Sequence, residues 1–115
     1  MAQLLNATTQ KIVLKDLKSA TTFWQRFIGL MGQKDLPADS GLWISNCTSI
    51  HTCFMNFSID CVFLDQQLKI KSLKENIKPW RMTAPVFGAS SVVEVPAGFI
   101  RSAGLNVGEV LNVSP

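Results

Sequence analysis

The chain has 115 residues, of which 47% are hydrophobic and 17% charged, with a net charge of +3. That length makes one domain with a core that needs no metal or disulfide staple, and that apolar content excludes disorder for most of it. So mild a charge points away from a dedicated nucleic-acid binder, and no apolar run approaches the roughly 20 residues that span a bilayer.

Residues 1–8 are polar and expected to be loosely held. The amino terminus has no basic start, long apolar stretch and small-residue cleavage site, so a cytoplasmic protein with reduced thiols is expected. Lys11 to Lys15 reads as a short strand that breaks at Asp16 to Ser19. From Thr21 the apolar period changes. Phe23, Phe27 and Leu30, with Trp24, Ile28 and Met31, recur every three to four residues and predict an amphipathic helix over 21–31. Ser19, Thr21 or Thr22 is its candidate cap, and Gly32 stands just past its end.

Leu36 to Gly41 is turn chemistry. Strands are expected over 42–46, 50–55 and 59–64, then over 68–73, where apolar residues alternate with lysine as on a half-wet face. Residues 76–90, with Pro79 and Pro85, form a long loop. A strand over 91–95 stops at Pro96, a helical turn fits 97–103, Leu105 plugs the core, and residues 107–113 make the last strand. The result is a mostly β fold, α+β at the margin. It is a small, mainly antiparallel, barrel-like domain of about six short strands, with the helix over one end.

Chemically capable side chains gather between Cys47 and Asp65. This stretch holds the single histidine, His51, and all three cysteines, Cys47, Cys53 and Cys61. Cys47, His51 and Cys53 lie at even separations, so an extended segment would turn them to one side. Their spacing lacks the close pairs of zinc motifs, and free cysteine is commonly a small buried apolar group, so no metal and no cofactor is assigned. Cys47 and His51, with Asp60 as orienter, have the side chains of a nucleophilic site, but at four residues apart on one strand they are too distant to bond directly.

Asp60 interrupts an apolar strand, and a buried carboxylate needs a partner. Arg26 is the candidate, either as a structural bridge or as part of a polar floor under a recess rimmed by His51 and Thr52. Glu94 poses the same question, with Arg81 or Arg101 as partners. Trp80 and Arg81, on the long loop, read as a docking element or as a plug of the barrel end. Lys69, Lys71, Lys74, Lys78 and Arg81 make an anion-facing patch or the solvated edge of a strand, and the edge is the simpler reading.

The motifs also occur in a familiar order. Arg26-Phe27-Ile28-Gly29-Leu30-Met31 resembles an R-x-x-G-L-M signature. Gly41-Leu42-Trp43-Ile44, Ser49-Ile50-His51-Thr52 with Phe54-Met55 and Ile59-Asp60, Pro79-Trp80-Arg81, and Glu94-Val95-Pro96-Ala97-Gly98 follow, and Gly104-Leu105 with Gly108-Glu109 closes the series. Together, from about Arg26 to Val110, they resemble the domain of unknown function 192 family. The resemblance implies a small β-rich, barrel-like, bacterial-type domain of no established role. This chain departs from the family at Phe54 to Ser58, at Cys53 and Cys61, where apolar residues are usual, and at Glu109, where aspartate is usual.

The expectation is a binding or accessory domain with a recess lined by Arg26, His51, Thr52, Met55, Asp60, Trp80 and Arg81, taking a small ligand or a partner segment. The rivals are a hydrolase using His51 with Asp60 or Cys47, and an anion or nucleic-acid binder using residues 69–81.

Overall fold

The computed structural model describes residues 2–22, 25 and 30–115. Among them, seven strands form one sheet: β1 (Ala2–Asn6), β2 (Lys11–Ala20), β3 (Ser40–Ser45), β4 (Ile59–Leu64), β5 (Ile70–Ile77), β6 (Ser91–Pro96) and β7 (Leu111–Ser114). The one complete helix among these residues is α1 (Phe99–Ala103). The strand order is β5-β4-β6-β3-β2-β1-β7, with β2–β3 parallel and every other neighbouring pair antiparallel. The parallel pair requires a crossover, and residues 21–39 supply it.

The sheet curls until its two outer strands meet at one end. Lys69 bridges Val110, Ile70 N donates to Glu109 O (2.9 Å), and Gly108 N donates to Ile70 O (2.9 Å). The result is a half-barrel, stitched at one rim and open elsewhere, which agrees with the mainly antiparallel, barrel-like architecture expected from the sequence.

Two apolar clusters fill the two faces. Inside the curl lie Leu4, Leu14, Leu17, Val62, Leu64, Val93 and Val95, with Ile100 and Leu105 closing one end. Against the outer face pack Ile44, Ile59, Cys61, Phe63 and Val92, covered by Leu30, Ile50, Met55 and Ala89 from the connecting segments. The central strands β4 and β6 are therefore covered on both faces, and β4 is buried along its whole length.

Three strand expectations change. Within the segment expected to be loose, residues 2–6 form β1, which pairs with both β2 and β7, and Leu4 is almost wholly buried. The polar residues of this segment concealed a core anchor. β2 does not end at Lys15, because the register slips from Leu14↔Leu4 to Leu17↔Ala2, a bulge of one extra residue. That bulge keeps Leu14 and Leu17 on one face at a spacing of three, which reads in sequence as a broken pattern.

Residues 50–55 form no strand. His51 makes a single bridge to Met82, Met55 N turns back onto Thr52 O (3.2 Å), and Phe54 has φ 63°. The turn lets Ile50 and Met55 reach the same cluster, which an alternating strand would not do for an odd spacing of five.

Of the expected helix over 21–31, the start is described. Thr22 Oγ1 accepts from Gln25 N (3.1 Å), while Gln25 Oε1 accepts from Thr22 N (3.2 Å), a reciprocal cap that selects Thr22 among the three candidates. Gly32 takes the left-handed φ of 76°. Phe23, Trp24 and residues 26–29 lie outside the described residues.

Because β1 supplies β7 with its neighbour in the sheet and Leu4 to the interior, Leu4→Ala is expected to destabilise the fold by about 3 kcal/mol. Urea unfolding measures this; a loss below about 0.5 kcal/mol would return the segment to a loose tail.

Candidate functional site

The carboxylate of Asp60 is fully buried and both of its oxygens are engaged. Oδ1 accepts from Asn76 N (2.8 Å) and Oδ2 from Ile100 N (3.0 Å). The first amide belongs to a bulge in β5, where the register slips from Ile59↔Ile77 to Cys61↔Lys74 and Asn76 takes φ 53°. The second is in the first turn of α1, whose own cap residue, Gly98, has no side chain to offer. Asp60 thus caps α1 from a distance and holds the β5 bulge. Arg26, its expected partner, lies outside the described residues.

Strand alternation separates Asp60 from the His51 segment. Asp60 is in step with Val62 and Leu64, and with Ile100 it belongs to the interior side of β4. Ile50 and Met55, on either side of His51, pack against the outer face beside Ile59 and Cys61.

The acid on that outer side is Glu94. It is in step with Val92 and stands opposite Cys61 in the β4–β6 ladder. Glu94 is buried, and among the described residues its Oε1 has no hydrogen-bond partner and neither Arg81 nor Arg101 pairs with it. Burial raises its pKa from 4.5 to about 8. The neighbouring Cys61 thiol is pushed well above its ordinary value, first by burial and then by the charges of Glu94 and Asp60. A thiol so protonated is a poor nucleophile. Cys47 donates its thiol to Ser49 O (2.8 Å), and Cys53 N donates to His51 Nδ1 (3.2 Å). Among the described residues, no three His, Cys, Asp or Glu side chains gather as a metal site would need.

What the structure does bring together are the two loops that the sequence singled out. Cys47 N donates to Ser90 O (3.0 Å), Val86 N to Thr48 O (2.9 Å), Thr83 N to Ile50 O (2.9 Å) and Thr52 N to Arg81 O (2.8 Å). Thr52, fully buried, is the clasp: its hydroxyl donates to Lys78 O (2.6 Å) and accepts from Arg81 N (2.8 Å), while its carbonyl accepts from Trp80 N (3.0 Å).

Clasping the loops pushes two aromatic residues outward. Phe54 and Trp80 both hold left-handed backbone, φ 63° and 62°, which costs an aromatic residue about 1–3 kcal/mol. Their rings meet at 4.7 Å between centroids and remain 59% and 58% exposed. Trp80 does not plug the barrel. Met82, exposed to 77%, extends this ridge, with His51 half-buried beside it and Arg81 exposed between Trp80 and Met82. Thr52 and Met55, both buried, act from beneath. Nothing in the local sequence marks Phe54 or Met82 as a surface residue: in an extended 50–55 Phe54 is one strand position among others, and only the turn exposes it.

An open groove of about 680 Å³ adjoins the ridge, lined by residues 74–78 and 81–84. No helix among the described residues is long and apolar enough to cross a membrane.

A curled seven-strand sheet with a clasped pair of loops on its outer face is thus the class of domain that the structure defines. The chain belongs to the DUF192 family, described as "Uncharacterized ACR", which matches residues 4–113. A UPF0127 protein of Thermococcus sibiricus is 34% identical over 95% of this chain and 73% of its own length, and one of Pyrococcus furiosus is 32% identical over 94% and 95%. These relatives are archaeal, so the bacterial-type expectation is too narrow.

Two crystal structures share the fold. A "putative transcription regulator" of Sinorhizobium meliloti has a TM-score of 0.81 at 22% identity, over 97% of this chain and 91% of that one. A protein of unknown function from Novosphingobium aromaticivorans has a TM-score of 0.82 at 16% identity, over 96% and 82%.

Two outcomes follow from the site. The native state keeps the Glu94 proton up to about pH 8, whereas the unfolded chain releases it near 4.5. Stability is therefore full below pH 4.5 and falls as pH rises towards 8. Glu94→Gln should remove that decline, as urea unfolding across this pH window would record; parallel pH profiles for the two proteins would count against it. Thr52→Val, which strands Lys78 O and Arg81 N, should cost about 1–3 kcal/mol and speed amide exchange at Arg81, with Thr52→Ser restoring most of both.

Proposed function

We propose that this protein is a binding domain whose contact surface is the ridge of Phe54, Trp80 and Met82, flanked by His51 and Arg81, and that its ligand is a segment of a partner protein. The exposed, mutually packed Phe54 and Trp80, both in left-handed backbone, carry this reading. Strain that the structure maintains by a buried clasp, in order to display apolar rings to water, is characteristic of a functional surface rather than of a core. Tryptophan, arginine and methionine are also the residues enriched where proteins meet.

Binding is better supported than hydrolysis. Asp60 accepts from two backbone amides on the interior side of β4, whereas the segment that carries His51 packs on the outer face, so Asp60 is not placed to orient His51. Thr52 and Met55 serve the surface by positioning it from beneath, and His51, Trp80 and Arg81 by contact.

The test is selection of peptides from a random displayed library against the full chain. Selected peptides should lose at least tenfold in affinity for the Trp80→Ala protein by calorimetry, while its melting temperature stays within a few degrees of the parent, since Trp80 is a surface residue. If the peptides bind both proteins equally, the ridge is not the contact surface.

A further inference from the structure

The open edge of β5 adjoins this ridge. β5 is the outermost strand of the sheet, and only its start is tied across to β7, through Lys69, Ile70 and residues 108–110. From Lys71 to Ile77 its outer side pairs with no other strand among the described residues. At roughly 3.3 Å per residue, this edge runs for about 20 Å. The groove beside its second half is bounded on the far side by residues 81–84, so one wall is a strand edge and the other includes the exposed Met82.

We propose that β5 receives an extended, acidic segment of a partner protein as an added antiparallel or parallel strand, lying in this groove with its apolar side chains against Met82 and Trp80. The proposal rests on the ridge being a contact surface and names what the ridge contacts.

Three features support it. An unpaired edge offers backbone donors and acceptors in register, which supply affinity in strand addition, while alternate side chains supply specificity. The groove carries Lys74, Lys78 and Arg81 against Glu75, a cationic excess that complements aspartate and glutamate. The same lysines weigh against a second copy of this chain as occupant, because edge-to-edge pairing of β5 would set like charges beside one another. The strand also has a defined stop. The bulge at Asn76, held by Asp60, breaks the regular register of β5 one residue before its end at Ile77, beside the groove residues Lys78 and Arg81.

The experiment sequences the peptides selected by the displayed library and follows amide exchange of the full chain with the tightest of them bound. Asp and Glu alternating with apolar residues are expected, with exchange slowed at least tenfold at backbone amides within Lys71 to Ile77. Affinity should fall with added salt and drop at least tenfold in the Lys78→Glu protein, whose altered side chain is exposed and leaves the core untouched. Peptides that depend on Trp80 but lack acidic bias, or that slow exchange only at 51–54 and 80–83, would overturn strand addition while leaving the ridge in place. An absence of Trp80-dependent peptides would overturn the ridge and this proposal together. Tighter binding of oligothymidylate than of any selected peptide would overturn it in favour of a nucleic-acid surface, where the same cations and rings serve phosphates and bases.

Discussion

A carboxylate that has lost all contact with water must be satisfied by donors, and in this fold the donors are two backbone amides far apart in sequence. Asp60 accepts from Asn76 and from Ile100. With one side chain it fixes the bulge that bends β5 and the entry of α1 onto the open end of the curl. Each amide would otherwise be an orphan: the first because a bulge takes it out of the ladder, the second because it stands in the first turn of a helix. The β4–β5 ladder joins the two strands along their length, and Asp60 adds the side-chain tie that fixes where β5 bulges and where α1 begins.

The outer face obeys a different constraint. Glu94 stands there without a partner for one oxygen, in a cluster otherwise made of apolar side chains and the Cys61 thiol. Burial raises its pKa to about 8, so at neutral pH the group is largely an uncharged acid. The two acids of the central strands thus have opposite solutions. Asp60 is hydrogen-bonded on the interior side, and Glu94 is neutralised on the exterior side.

Above that exterior face the clasped loops convert local strain into a surface. Thr52 closes one loop on the other with its amide, carbonyl and hydroxyl, and the chain reversals on either side place Phe54 and Trp80 outward in backbone geometry that neither residue favours. Each loop takes backbone hydrogen bonds from the other. Paired, they present two rings, a thioether and a guanidinium next to the free edge of β5, which is where the functional proposal stands.

Much of the architecture was legible in the sequence, because alternation and turn chemistry are local. The strands over 59–64 and 91–95, the helical turn before Gly104, a cap among Ser19, Thr21 and Thr22, and the concentration of unusual side chains after Cys47 could all be read from neighbours along the chain. What the sequence left undecided depends on partners distant in the chain. β1 is a strand because β2 and β7 flank it, the bulge in β2 disguises its period, and residues 50–55 give up their pattern to bond with a loop some thirty residues onward. The same holds for the acids. Composition identified Asp60 and Glu94 as expensive to bury, but only the packing of strands decided that one faces inward to two amides and the other outward into an apolar cluster. The sequence by itself determined which residues carry chemistry and the period of the elements that hold them. The tertiary structure alone decided which of them meet, since facing across a sheet and closing one loop on another are relations between distant segments that no local pattern encodes.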